Sequence, residues 1–213
     1  MTLPRKTTRI LASTACAIGL MALAACGGSG GAAVEGDMAK GAPEGAKVTV
    51  VEYASPTCGL CASWQANVGP EFNAKYVETN KVRFVLRELP TPPADIASAG
   101  FLLARCAGED RYFDVIYELM ANQGEWMSGA ITPRASLVKT AGSFGINEDA
   151  LQACITDEKA IAALERRVQA AVAAGVTGTP YFTVNGKQVQ TPGSPQGTSM
   201  ADLSAAIDAE LAK

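Results

Sequence analysis

Residues 50–61 read VVEYASPTCGLC. The run that leads into them, KVTVVEY at 47–53, is β-branched and apolar, the pattern of a buried strand. Pro56 and Thr57 break that run, and a helix can begin at or just before Cys58 and continue through Trp64 and Val68. Cys58 and Cys61 then stand at a strand-to-helix junction, where the unpaired N–H groups and the dipole of a helix start stabilise an anion. A thiol placed there has a lowered pKa and becomes the attacking thiolate, while Cys61, one turn further in, is shielded and resolves.

Two other uses of a C-x-x-C stand beside this one. A zinc site needs two further ligands, and the chain has no histidine and no second C-x-x-C, so only Cys106, Cys154 or carboxylates remain to complete it. An inert staple is the third, although so tight a loop is an uncommon choice for one. Redox chemistry is the reading the junction favours.

Outward from the motif, KVRFVLREL at 81–89 alternates Val82, Phe84 and Leu86 and reads as a second strand, stopped by TPP at 91–93. From Ala94 to about Asp157 the text is helical. Leu102, Leu103 and Cys106 share one face, Phe113, Ile116, Tyr117 and Met120 another, and Leu151, Cys154 and Ile155 a third. A longer helix from about Asp157 to Ala174 turns Ile161, Leu164, Val168 and Val172 inward, with Gly175 as its cap. PYFTVNGKQVQ at 180–190 is a hairpin turning at Asn185-Gly186, and Leu203, Ile207 and Leu211 mark a closing helix.

The 213 residues are 48% hydrophobic with a formal charge of −3, which suits a globular domain and gives nucleic acid no basic surface. Arg5, Lys6 and Arg9 precede an apolar run from Ile10 to Ala25, an export signal too short and too interrupted for a comfortable span. Its end, Leu23-Ala24-Ala25-Cys26, resembles the bacterial lipoprotein lipobox, which implies cleavage after residue 25 and lipidation of Cys26; an ordinary secretory signal is the alternative. The mature balance is then 15 Lys+Arg against 21 Asp+Glu, or −6. Residues 26–46, rich in Gly, Ala and Ser, read as a flexible tether spanning on the order of 25 Å. Export leaves Cys58, Cys61, Cys106 and Cys154 in an oxidising compartment. There, a structural Cys106–Cys154 bridge is expected over two buried free thiols acting as small hydrophobes.

VVEYASPTCGLC, followed much later by GVTGTPYFTVNG at 175–186, resembles the DsbA-like branch of the thioredoxin superfamily over residues 47–213. The resemblance implies an α/β thioredoxin-like fold in two parts, 47–90 and 158–213, separated by a helical insertion at 91–157. It implies thiol–disulfide exchange with exported proteins, with Cys58 as nucleophile and Cys61 as resolving cysteine. Pro180 matches a cis-proline facing the disulfide, and a cis bond there would leave the backbone of Thr179 free to pair with an extended substrate. Glu52, from alternation alone as much a solvent-facing residue as a buried one, matches a buried acid beneath Cys61 that moves its proton. No cofactor is implied. The partners are exported proteins with thiols or disulfides, a membrane redox partner, and the membrane itself through the lipid.

The sequence departs from that branch between the cysteines. Gly59-Leu60 stand where relatives commonly carry a histidine before the second cysteine, and leucine offers the Cys58 thiolate neither charge nor hydrogen bond. A less stabilised thiolate makes the disulfide a milder oxidant, so oxidase leads over reductase or isomerase by less. Two non-redox readings stay open: a soft-metal carrier using both thiolates, and a peptide-binding chaperone on the same fold.

Overall fold

The computed structural model describes residues 1–2, 34–194 and 197–213. In chain order the described elements are β1 (Met38–Gly41), β2 (Thr49–Ala54), α1 (Gly59–Asn67), α2 (Gly69–Phe72), a π-helical turn (Asn73–Val77) and β3 (Arg83–Glu88). The helical block holds α3 (Ala94–Cys106), α4 (Tyr112–Ala121), α5 (Gln123–Met127), α6 (Pro133–Ser143) and α7 (Glu148–Ile155). After it come α8 (Glu158–Ala173), β4 (Tyr181–Val184), β5 (Lys187–Val189) and α9 (Met200–Leu211).

The sheet runs in the order β1-β3-β2-β4-β5. β2 and β3 are parallel, which needs a crossover, and α1, α2 and the π-helical turn supply it. The other pairings are antiparallel. Helices cover both faces, which is why β2 reads as an almost unbroken apolar run. Val50 and Ala54 pack with Cys61 and Trp64 of α1, while Val51 and Tyr53 pack on the other face with Ala171 and Val176. Glu52 shares the parity of Val50 and Ala54, so its carboxyl lies on the α1 side.

The turns and caps are legible in their residues. Asn185 and Gly186 take φ of 47° and 80°, the two positive values that a type I′ hairpin demands. Thr132, Asn147, Asp157 and Ser199 cap α6, α7, α8 and α9 by accepting a backbone N–H from the first turn of each helix. In the block, α3 packs on α4, α6, α7 and α8, and the Cys106–Cys154 bridge ties the end of α3 to α7. A buried ion cluster joins block and sheet: Glu88 at the end of β3 receives Arg105 from α3 and Arg167 from α8, and Arg87 pairs with Asp37. Among the described residues no helix is long and apolar enough to cross a membrane.

Two expectations need correction. The segment 26–46 is not tether throughout. Met38–Gly41 forms β1 and pairs antiparallel with β3, Met38 opposite Leu86 and Gly41 opposite Arg83. Four residues are too few to show alternation, and the backbone ladder rather than side-chain pattern makes this strand. Cys26 lies outside the described residues. Val172, expected inward, is 60% exposed, because the buried stripe of α8 moves on to Ala171 as the helix ends.

β1 can be tested at its end. Gly41 has φ +84°, and a Cβ there would stand 2.5 Å from the Val82 carbonyl oxygen. Gly41→Ala should cost about 3 kcal/mol from the strained backbone and the clash. That is a fall in Tm on the order of 10 °C for a domain of this size. An unchanged melt would return residues 38–41 to the tether.

Candidate active site

Cys58 is the N-cap residue of α1, extended at φ −83° and ψ 110°, and Cys61 lies in the first turn. The two are bridged, and the Cys61 N–H donates to the Cys58 sulfur at 3.0 Å. Cys58 is 8% exposed and Cys61 0%, so any partner reaches the first sulfur and not the second. Leu60 is 42% exposed and its apolar side chain offers the sulfur no polar contact.

The turn is held from below by hydroxyls. Thr57 Oγ1 donates to the Thr91 carbonyl at 2.8 Å, and Ser55 Oγ accepts the Thr91 N–H at 3.1 Å. From the helical block, Gln123 Nε2 donates to the carbonyls of Pro56 at 2.8 Å and of Cys58 at 3.2 Å. Opposite the sulfur, the Thr179 carbonyl lies 3.6 Å from Cys58 Sγ, and the Thr179–Pro180 peptide is cis. Thr177, Gly178, Thr179, Gln188 and Gln190 line a polar groove of about 420 Å³ beside it.

On the α1 face of the sheet sits Glu52, 2% exposed. Burial pushes its carboxyl up to about 8, against an opposing pull from the Lys40 ammonium. Lys40 arrives from β1 and lies over the rings of Phe84, Phe113 and Tyr117, between 4.9 and 5.5 Å from their centroids. Burial lowers the Lys40 pKa in spite of Glu52, Asp114 and Glu78. For both groups desolvation outweighs their attraction, so near neutrality the carboxyl is mostly protonated and faces a caged cation. The Tyr117 hydroxyl is buried with no hydrogen-bond partner among the described residues, and burial followed by Glu52 raises its pKa well above the ordinary value.

Cys58, Cys61, Thr179 and Pro180 therefore meet at one place, with Glu52 on the α1 face of the sheet below. Cys106 and Cys154 form a separate bridge in the helical block. Lys40 and Gln123 are the participants the sequence does not disclose. Lys40 falls in a stretch without periodicity, and Gln123 is a polar residue with no motif around it. Among the described residues no cluster of three or more His, Cys, Asp or Glu could hold a metal ion.

Residues 33–209 match a family model described as Thioredoxin. A putative protein-disulfide oxidoreductase of Rickettsia bellii is 32% identical over 175 residues, which is 82% of this chain and 64% of that protein. The chain thus spans a little under two thirds of the length of that relative. Among solved structures, BdbD of Bacillus subtilis superposes with a TM-score of 0.74 at 20% identity, over 87% of this chain and 98% of that one. The alpha-DsbA1 of Wolbachia pipientis does so with a TM-score of 0.72 at 22% identity, over 84% and 93%. A strand feeding a capped C-x-x-C, a cis-proline loop across from it and a helical block between the two halves make this chain a member of the thioredoxin family, in the form of the fold that DsbA proteins share.

Proposed function

We propose that this protein is an exported thiol–disulfide oxidoreductase that passes the Cys58–Cys61 disulfide to substrate proteins. The observation that carries the reading is the unequal setting of the two sulfurs. Cys58 caps a helix, accepts an N–H and reaches the surface, while Cys61 is sealed in the core. In the forward direction a substrate thiolate attacks Cys58 Sγ, the Cys58–Cys61 bond breaks, and Cys61 leaves as a thiolate that takes a proton from the Glu52 carboxylic acid. A second substrate thiolate then attacks the substrate sulfur of the mixed disulfide and expels Cys58 as a thiolate. Two electrons and the substrate's two thiols end as one substrate disulfide and a reduced C-x-x-C.

The Thr179 backbone and the groove that continues from it are the place for an extended substrate segment, because the Thr179 carbonyl borders the accessible sulfur and Thr179 also lines the groove. The groove is lined by hydroxyls, amides and backbone, so it suits segments chosen by main-chain pairing more than by charge. The positive start, apolar run and Leu23-Ala24-Ala25-Cys26 favour export and a lipid anchor at Cys26, which would hold the domain at a membrane surface facing the periplasm or cell exterior, with a membrane redox partner to reoxidise it. The carboxyl of Glu52, mostly protonated near neutrality, suits the oxidase direction.

Equilibration against glutathione tests that direction. Without a polar group at Leu60 the pair should fall between the poise of DsbA, about −120 mV, and that of thioredoxin, about −270 mV. A potential at or below that of thioredoxin would make the protein a reductase instead.

A further inference from the structure

We infer that Gln123 is a positioning residue that tunes the Cys58 thiolate from the helical block. This rests on the reading of Cys58 as the attacking sulfur. Gln123 is 4% exposed, far from the usual place of a glutamine, and it opens α5, a single short turn of helix. Its amide nitrogen has two N–H groups, and they go to the carbonyls of Pro56 and Cys58, the two that bracket Thr57 and the start of the redox turn. Its amide oxygen borders Gly59, 3.8 Å from where a Cβ would stand. The side chain therefore clasps the loop on both sides of the nucleophile.

The Cys58 carbonyl already accepts the Ala62 N–H as the first bond of α1. The helix is thus complete without Gln123, and the second donor on that oxygen has another use. Carbonyl oxygens carry partial negative charge beside the sulfur. Donors on the Pro56 and Cys58 oxygens draw that density away and favour an anion at Cys58 Sγ. The clasp also keeps Cys58 in its N-cap conformation once the disulfide opens and no longer pins it, so the Cys61 N–H stays aimed at the thiolate. Both effects act on the thiolate more than on the disulfide, which carries no charge. Stabilising the thiolate stabilises the reduced form and makes the pair more oxidising. With Leu60 contributing nothing polar, this donor from the block takes part of the place that a polar residue inside the motif would have.

The test uses the full chain with its Cys106–Cys154 bridge intact. Gln123→Met keeps length and apolar packing and removes both donors. Gln123→Glu keeps the shape, donates only while protonated, and brings a negative charge when ionised. Thiolate absorbance gives the Cys58 pKa in reduced protein, and equilibration against glutathione gives the redox constant. In Gln123→Met the Cys58 pKa should rise and the constant should move about three- to tenfold toward the protein disulfide, the scale of one lost hydrogen bond. In Gln123→Glu the same shifts should be larger above neutrality and shrink as pH falls and the carboxyl regains a proton. A lowered Tm in both variants with unmoved pKa and unmoved constant would make Gln123 a structural strut only and overturn the inference, as would shifts of opposite sign. If Gln123→Met does not fold, the pH dependence of Gln123→Glu decides alone. A wild-type protein that never exchanges with glutathione would sink the oxidoreductase reading, while the thiolate pKa would still judge Gln123.

Discussion

Replacing Glu52 by glutamine is expected to make this protein more stable and worse at its reaction. The stability gain follows from where the carboxyl ionises. In the folded protein burial holds it up to about 8, and in the unfolded chain it returns to the ordinary 4.5. A raised acid means that between those two values the folded state keeps a proton that the unfolded state has released. Stability therefore falls as pH rises through that window, by about 1.4 kcal/mol per unit, and the full loss of about 5 kcal/mol is present above pH 8. Below 4.5 both states are protonated and nothing is lost. Glu52→Gln removes that slope, so urea melts at pH 4.5 should nearly coincide with wild type, and those at pH 8.5 should show the variant ahead by several kcal/mol. Lys40→Met supplies the second arm. Without the ammonium the carboxyl loses the pull that lowers its pKa, so the wild-type slope should extend to higher pH. Equal stabilities of Glu52→Gln and wild type from pH 4.5 to 8.5 would mean that the carboxyl is not held neutral.

The same carboxyl explains the cost in activity. A thiolate leaving at Cys61 is in a core position, 0% exposed, and needs a proton from inside the protein. Glu52 is mostly protonated near neutrality and can give one. Glutamine cannot. Exchange in Glu52→Gln should slow by about 10²-fold, the usual reach of a positioned acid, with a flattened pH profile near 8. Natural proteins accept an unstable buried group where chemistry uses it, and a gain in stability joined to a loss in rate is the mark of such a residue.

Some residues of this fold and site declare their roles in the sequence, and others acquire them only through distant contacts. The strand into Cys58, the helix out of it, and the Asn185-Gly186 turn each follow from local rules, so the sequence specifies them whatever lies across the fold. The pairing of Cys106 with Cys154 is legible only together with the expectation of export, which would leave those two thiols over once Cys58 and Cys61 are paired. Glu52 is legible only halfway: alternation allows a strand residue either face, and the covering of both faces by helices is a tertiary fact. β1 is hidden because its partner, β3, lies over forty residues away and its own four residues carry no pattern. Lys40 is hidden with it, since a lysine in a Gly-rich stretch reads as solvated until three aromatic rings from β3 and α4 close around it. Gln123 belongs to the same class, a polar residue whose partners are the carbonyls of a loop in the other half of the fold.

Cys58→Ser should abolish exchange, with rates down about a thousandfold or more, whereas Cys61→Ser, which cannot form the protein disulfide, should still attack a disulfide through Cys58 and fail to resolve the mixed disulfide. The difference is geometric. An attacking or attacked sulfur must be reachable and stable as an anion, and the Cys58 sulfur alone accepts an N–H at a helix start and meets the surface. In Cys61→Ser the mixed disulfide between Cys58 and substrate forms and has no thiol one turn away to release it. Incubation with a reactive disulfide peptide and non-reducing gels should therefore show an adduct that accumulates in Cys61→Ser and is absent in Cys58→Ser. Brief alkylation of reduced wild-type protein, followed by mass spectrometry, should label Cys58 well before Cys61. Glu52 ties the two predictions together. If it serves only the proton of Cys61, as proposed, Glu52→Gln should slow turnover in wild type but leave the rate of adduct formation in Cys61→Ser unchanged. An adduct in Cys58→Ser, or equal labelling of both thiols, would exchange their roles and remove the reason for placing a carboxyl beneath Cys61. A Glu52→Gln effect that persists without Cys61 would place the carboxyl's influence on Cys58 instead.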